Sequence, residues 1–227
     1  GDRHVEGLDL VPSRWTQHVL DIRDVKDTSF ERFDEIVHCA AQVSVPLSLE
    51  DPVDDSSVNV LGTLKLLEVA RQFDSVFLYI SSAAVYGEPV KTPIDEEHPV
   101  NPASPYALSK LTGERYALLY KEWYGLETRV VRPFNVYSPR QNGGVVKVFL
   151  DHLEKGLPIT IEGDGSQVRD YIHAGDVAAF VKMVLDQKCP YSIYNSCSGK
   201  PVTISELSRA CMAVKDVAVK HVPPREG

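Results

Sequence analysis

"SSAAVYGEPVKTPIDEEHPVNPASPYALSKLTGERYALLYKEWYG", residues 81–125, joins three features that together decide how the chain folds. An apolar run, SVFLYIS (75–81), ends in paired serines; a polar, proline-rich loop follows over 88–101; a long amphipathic stretch then carries Tyr106 four residues ahead of Lys110. On a helix, positions i and i+4 stack one turn apart on one face, so the phenol and the ammonium point the same way. An ammonium beside a phenol favours the phenolate and lowers its pKa from about 10, which makes a usable general base. Ser82 sits where the apolar run ends, and open α/β sheets place their ligands at the carboxyl ends of parallel strands. A hydroxyl fixed there can hydrogen-bond an oxygen that gains or loses a proton. Tyr-x-x-x-Lys alone decorates many exposed helices and a serine pair is commoner still, so the specificity lies in the ordered combination.

Outward from this stretch, short apolar runs alternate with longer amphipathic ones. HVEGLDL (4–10), EIVHCAA (35–41), SVFLYIS (75–81) and TRVVRP (128–133) are apolar nearly throughout, as strands buried on both faces are. Asp51 and Pro52 read as the N-cap and first-turn proline of a helix running through VNVLGTLKLLEVARQF. Another helix is predicted over 102–124, and beyond Pro139 a helix near 145–155, an ITI strand, a loop GDGSQVRDYIH and a helix through DVAAFVKMVL. Thr203 and Glu206 form a capping-box pattern opening one more helix. Repeated strand–helix units predict an α/β protein with a doubly wound parallel sheet covered on both faces.

The 227 residues suffice for one large domain, or one domain with a small lobe. With 43% hydrophobic and 25% charged residues and no apolar run near the roughly 20 residues that span a bilayer, a soluble protein is expected. The opening GDRHVEGLDLVPSRW has no signal-peptide pattern, which makes the cytoplasm the default location. The four cysteines (Cys39, Cys189, Cys197, Cys211) form no CxxC pair and are expected as buried, reduced thiols, with no metal site. A net charge of -8 without a basic stripe works against nucleic-acid binding. His38 and His173 lie in apolar or aromatic runs, where packing with a satisfied ring nitrogen is expected rather than catalysis.

Six stretches, IVHCAAQVSVPLSLEDP, VNVLGTLKLLEVA, YISSAAVYGEP, SPYALSKLTGE, VVRPFNVYSPRQ and IEGDGSQVRDYIHAGDVA, cover most of 35–185 and carry a resemblance. In that order, the chain is similar to the extended short-chain dehydrogenase/reductase family, in its nucleotide-sugar epimerase and dehydratase branch. The resemblance implies a Rossmann-like domain binding NAD, over 1–140, and a smaller C-terminal lobe, 141–227, that mainly grips the nucleotide sugar while some of its segments return to the first domain. It implies Tyr106 as catalytic base, Lys110 as its partner and a donor to the nicotinamide ribose, and Ser82 at the reacting sugar oxygen. It places Asp9 at the adenosine ribose hydroxyls, Asp21 and Ile22 at the adenine, Ala40 and Ala41 beside the pyrophosphate, Asn59 as a buried polar residue near the cofactor, and Pro133 on the nicotinamide side. A carboxylate at Asp9 favours NAD over NADP, whose 2′-phosphate it repels. Asn135 and Arg169 match the family's contacts to the substrate diphosphate, for which a guanidinium fork is suited; Arg225 is a candidate second clamp. A homodimer is implied through the helices holding Asn59 to Arg71 and Tyr106 to Tyr124.

Dehydratases and sugar-acid decarboxylases of this branch typically carry an acidic residue just before the Val-Tyr-Gly; here Ala83 and Ala84 stand there, and alanine transfers no proton. The expectation is therefore epimerisation at C4 of a nucleotide-diphosphate sugar of the UDP-glucose/UDP-galactose type, through a transient 4-keto sugar, with a 4,6-dehydratase or UDP-glucuronate decarboxylase second. The sequence departs from the family in lacking its glycine-rich GxxGxxG turn and the strand before it, in passing abruptly from PRQN to GGVVKVF, and in its REG end. The expectation is that these residues are part of a longer polypeptide; if they are not, a noncatalytic binding module is the reading from another class.

Overall fold

The structure is a computed structural model that describes residues 3–26, 30, 32–141, 143–187 and 190–223. In chain order the elements are β1 (Leu8–Asp9), β2 (His18–Val19), β3 (Glu35–His38), α1 (Val45–Glu50), α2 (Pro52–Ser56), α3 (Thr63–Phe73), β4 (Val76–Ile80), α4 (Pro105–Tyr124), β5 (Thr128–Pro133), β6 (Asn135–Tyr137), α5 (Val145–Lys155), β7 (Ile159–Glu162), β8 (Val168–His173), α6 (Ala174–Asp186), β9 (Ile193–Ser196), β10 (Pro201–Thr203), α7 (Ile204–Met212) and β11 (Val219–Val222). They fall into two units, Gly1–Arg132 with Gln187–Asn195, and Pro133–Asp186 with Ser196–Gly227.

The first unit has the parallel α/β, Rossmann-like architecture expected. Its main sheet runs β3-β4-β5-β9, with β3, β4 and β5 parallel and Val37 opposite Leu78, Tyr79 opposite Val130. The apolar runs become strands because both faces are covered: every residue of β5 is buried. Leu67, Val69 and Ala70 of α3 and Ala117 of α4 pack with Phe77, Tyr79 and Val130. At about 25 cal/mol per Å² of apolar surface removed from water, this cluster is the main favourable contribution to the unit's stability. The predicted helix after Asp51 forms, with the Asp51 side chain accepting from Asp54 N and Pro52 at its first position. It reaches Phe73 through a π-helical turn, Ser57–Gly62. Ser104 caps α4 with Pro105 just inside, and Gly125 ends it at φ 71°, a left-handed conformation that glycine adopts at no steric cost.

Some expectations need correction. The first strand candidate, 4–10, contracts to Leu8–Asp9 paired with β2, because Gly7 O is taken by Gln17 N and His18 N, which turns the chain away from a longer ladder. Cys39 and Cys197 are exposed and Cys211 is buried, while Cys189 lies outside the described residues. β3 is the last strand of its sheet, so Val37 and Cys39, which alternate to one face, remain accessible.

In the second unit β8 pairs antiparallel with β10 and parallel with β6, and β7 pairs parallel with β11. Phe149 and Leu153 of α5 bury against Ile159, Ile161 and Cys211. α7 opens with the capping box the sequence predicts. Among the described residues no helix is long and apolar enough to cross a membrane, and no group of three or more His, Cys, Asp or Glu side chains is placed to hold a metal.

His38 is buried between the Phe77 and Tyr79 rings. Its Nε2 meets Thr63 Oγ1 at 2.8 Å while Nδ1 has no partner among the described residues, so one of its ring nitrogens is satisfied. Burial, with a smaller push from the Lys110 charge, lowers its pKa from 6.5 to about 3. An unfolded histidine takes its proton near 6.5 while the folded one refuses it until about 3, so in that window the unfolded state binds more protons and stability falls as pH falls. The expected loss from this residue is about 1.4 kcal/mol per pH unit across the window. Denaturant titrations of His38→Gln should show a flatter acid limb than wild type, and parallel limbs would contradict the assignment.

Candidate functional site

At the carboxyl edge of β4 the two serines divide their work. Ser81 is buried and donates to Glu114 of α4. Ser82 is only partly buried; its hydroxyl accepts from Ala84 N at 3.1 Å and starts the 3-10 turn Ala83–Tyr86. Tyr106 lies in the first turn of α4 and is partly buried. Burial pushes its phenol above the ordinary tyrosine range, with the Ser82 hydroxyl pulling it back.

Lys110, one turn further along α4, is 2% exposed. Its Nζ sits 4.4 Å from the centre of the Tyr79 ring, a cation–π contact. Burial pushes this ammonium down to about 8, while the charges of Cys39, Glu114 and Asp55 hold it up. Among the described residues no carboxylate lies within ion-pair distance of it. The expected lowering of the Tyr106 phenol by Lys110 is not what the structure has: desolvation dominates the phenol, and the ammonium is committed to the Tyr79 ring.

Asn59 stands inside the π turn, where one extra residue breaks the regular hydrogen-bond ladder. Its Oδ1 accepts from Gln42 N at 2.9 Å, and its Nδ2 lies 3.0 Å from Gln42 O, 3.1 Å from Asp55 Oδ1 and 3.1 Å from Ser109 Oγ. Ser109 Oγ in turn donates to Tyr106 O at 3.0 Å. Thr63 Oγ1 donates to Asn59 O at 2.6 Å, so it accepts from His38, whose proton is thereby assigned to Nε2. The structure thus brings Asn59, Tyr106, Lys110 and Ser82 onto elements that meet around α4. Asp55, fully buried beneath them, has Oδ2 without a partner.

The remaining predicted residues are dispersed. Asp9 is exposed at the end of β1, with one oxygen accepting from Val11 N. The Asp21 carboxylate is engaged through both oxygens by Arg23, and Ile22 is packed in the core. Ala40 and Ala41, half-buried, follow β3, and Pro133 closes β5. A cavity of about 170 Å³ is lined by Leu8, His18, Ile36, His38, Ala40 and Leu66 among others, and by none of the three predicted catalytic residues. In the second unit Asn135 pairs with Tyr171, two residues from Arg169 on the neighbouring strand, so the three share one sheet face. Asn135 Nδ2 donates to Asp170 O at 2.9 Å, and Arg169 is exposed. Arg225 lies outside the described residues.

Sequence reasoning missed Asp55, Gln42, Glu114 and Arg132. Glu114 carried a readable signal, since it continues the Tyr106, Lys110 face at i+8. Arg132 stood in a strand pattern as a charge with no visible partner.

Residues 5–197 match the model of the NAD dependent epimerase/dehydratase family. A protein of Methanocaldococcus jannaschii provisionally named UDP-glucose 4-epimerase is 43% identical over 197 residues, 82% of this chain and 64% of that protein. The dTDP-glucose 4,6-dehydratase of Streptomyces antibioticus is 34% identical over 184 residues, 80% of this chain and 55% of that enzyme. The chain spans between about half and two thirds of the length of three such relatives, these two and the UDP-glucose 4-epimerase of Mycolicibacterium smegmatis. Among solved structures, the Thermus thermophilus UDP-glucose 4-epimerase in complex with NAD superposes with a TM-score of 0.84 at 37% identity, covering 96% of this chain and 75% of that one.

Replacing Asn59 strands the Gln42 backbone groups in a buried setting and leaves Asp55 Oδ1 with the Gln42 side chain as its remaining donor. Asn59→Leu is expected to cost about 1–3 kcal/mol, read as a lower urea midpoint at unchanged slope; an unchanged midpoint would show that the π turn holds without it.

Proposed function

The chain belongs to the NAD-dependent epimerase/dehydratase family, and from that premise we propose that it epimerises C4 of a nucleotide-diphosphate sugar of the UDP-glucose/UDP-galactose type. The observation that carries this reading is a partly buried Tyr106 with Lys110 one turn on and Ser82 at the strand edge, while Ala83 and Ala84 hold the turn where elimination would require an acid. Dehydratases among the relatives make elimination of water the second reading.

The residues present fit NAD. Lys110 offers buried N–H donors with no carboxylate competing among the described residues, Asp9 keeps one carboxylate oxygen free for ribose hydroxyls, and Ala40 and Ala41 leave room for close backbone approach. Asp21 does not fit a side-chain role, because Arg23 already occupies its carboxylate. When bound, NAD+ supplies the hydride acceptor and then the donor. Tyr106 takes the proton of the C4 hydroxyl as the C4 hydrogen departs with its electron pair, and Ser82 hydrogen-bonds the same oxygen. The 4-keto sugar turns over, the hydrogen returns to the opposite face, and Tyr106 gives the proton back. Lys110, one turn from Tyr106, is assigned to the cofactor through its buried ammonium, and the Ser82 hydroxyl is the group that offsets the desolvation of the Tyr106 phenol. For the substrate diphosphate we assign Asn135 and Arg169, and Arg225 as a further donor, on the chemistry of their side chains. Residues 1–140 are assigned to NAD and 141–227 mainly to the nucleotide sugar.

A homodimer through α4 and the helix of Asn59 to Arg71 accords with the large apolar side chains these helices expose, Leu61 at 57%, Leu108 at 56% and Trp123 at 76%. Leu108→Glu should then convert a dimer to a monomer in light scattering; wild type that is already monomeric at working concentration overturns the assignment.

The full-length protein, given UDP-galactose and NAD+ without a reductant, should form UDP-glucose, and Tyr106→Phe should lower kcat by about 10²–10⁴ while NAD still binds. Accumulation of a 4-keto-6-deoxy sugar instead would select the dehydratase reading. Turnover surviving Tyr106→Phe within a few-fold would remove Tyr106 as the base.

A further inference from the structure

Beneath the predicted catalytic residues lies a buried ion pair that the reaction scheme does not use. Arg132, 3% exposed near the end of β5, grips Glu114, 1% exposed on α4, through both carboxylate oxygens, Nε to Oε1 at 2.9 Å and Nη2 to Oε2 at 2.7 Å. Ser81 Oγ donates to the same Oε1. The third guanidinium nitrogen, Nη1, donates to Tyr86 Oη at 2.9 Å, and Tyr86 Oη donates to Asn195 Oδ1 at 2.7 Å. The guanidinium also lies 4.8 Å from the centre of the Tyr86 ring.

This network reaches each predicted catalytic residue by a covalent neighbour or within two helical turns. Glu114 is one turn past Lys110 and two past Tyr106 on the same helix face. Ser81 is bonded to Ser82, and Tyr86 closes the turn that Ser82 opens. A buried ion pair gains little net stability over apolar residues of similar shape, because its desolvation offsets its attraction. What it supplies is direction: a bidentate fork admits one relative placement of its two elements.

We propose that Glu114 and Arg132 are positioning residues that fix the Tyr106 turn of α4 against Ser82, with Tyr86 and Ser81 as their links to the strand edge. The proposal rests on the epimerase reading only for its kinetic readout. Lys110 feels Glu114 together with Cys39, Asp55 and the Tyr79 ring, and the Lys110 charge acts in turn on His38; Arg132 pairs with Glu114 through both carboxylate oxygens.

The test uses the full-length, NAD-loaded protein and the variants Arg132→Lys and Tyr86→Phe. Arg132→Lys keeps the charge but loses the fork. It is expected to fold, to hold KM within about three-fold and to lose about 10–100-fold in kcat, because a 1 Å misplacement of reacting groups costs that much. Its crystal structure should keep β4 and β5 in place while the Tyr106 hydroxyl shifts by about 1 Å relative to Ser82. A kcat within two-fold of wild type, or an unmoved Tyr106, overturns the proposal; so does a fall in kcat matched by an equal rise in KM. Should Arg132→Lys fail to fold, Tyr86→Phe, which removes one hydroxyl, decides: lower kcat at constant KM with a displaced Tyr106 supports positioning, and wild-type values refute it. If wild type turns over no nucleotide sugar, the functional reading fails by itself and the Tyr106-to-Ser82 geometry alone judges the network.

Discussion

Helix α4 rests on the ring of Tyr79, and the placement of Tyr106, Lys110 and Glu114 depends on how close it comes. Gly113 permits the approach: a Cβ there would lie 2.4 Å from Tyr79 Oη, a separation no side chain tolerates. One turn earlier the same approach lays the Lys110 ammonium over the ring face, and Glu114 reaches β4 and β5 from the next position. Lys110 and Glu114 therefore inherit their depth from one glycine, and Tyr106 follows because it shares their helix face. A larger residue at 113 would lift all three together.

That depth has an electrostatic consequence. Desolvation raises the Tyr106 phenol and lowers the Lys110 ammonium, so the protein by itself opposes the charged form of both groups. The ammonium, at about 8, stands near the point where a new neighbour decides its state, whereas the phenol is moved away from it and ionises only with an added favourable contact. Asp55 Oδ2, buried with no partner, adds an anion on the same side of the helix.

Period and punctuation made much of the first unit legible: the apolar runs became β3, β4 and β5, and the Asp51–Pro52 signal marked a real helix start, as Thr203–Glu206 did in the second unit. The two-residue strands, β6 and β10 were not legible, because runs that short carry no period to read, and β8, six residues long, reads as loop because Arg169 and Asp170 interrupt its apolar residues. At the site, Tyr106, Lys110 and Ser82 were visible through spacing and resemblance. Asp55, Glu114 and Arg132 were not, since a charge in a sequence reads as solvent-facing until its partner, distant along the chain, is known. The raised phenol escaped for the same reason: the i, i+4 rule gives the direction of a side chain and says nothing of its burial.

The π turn between α2 and α3 can be read as a single inserted residue. Each residue advances a helix by about 100°, so deleting one position between Ser57 and Gly62 would restore an unbroken α-helix and swing everything upstream of the cut by that angle. Asp55, and with it the carboxylate shared by Gln42 and Asn59, would leave the interior for solvent. The length of this helix is thus held by the burial and hydrogen bonds of Asp55 and Asn59, and the segment tolerates substitution at its exposed positions far better than any change in residue count.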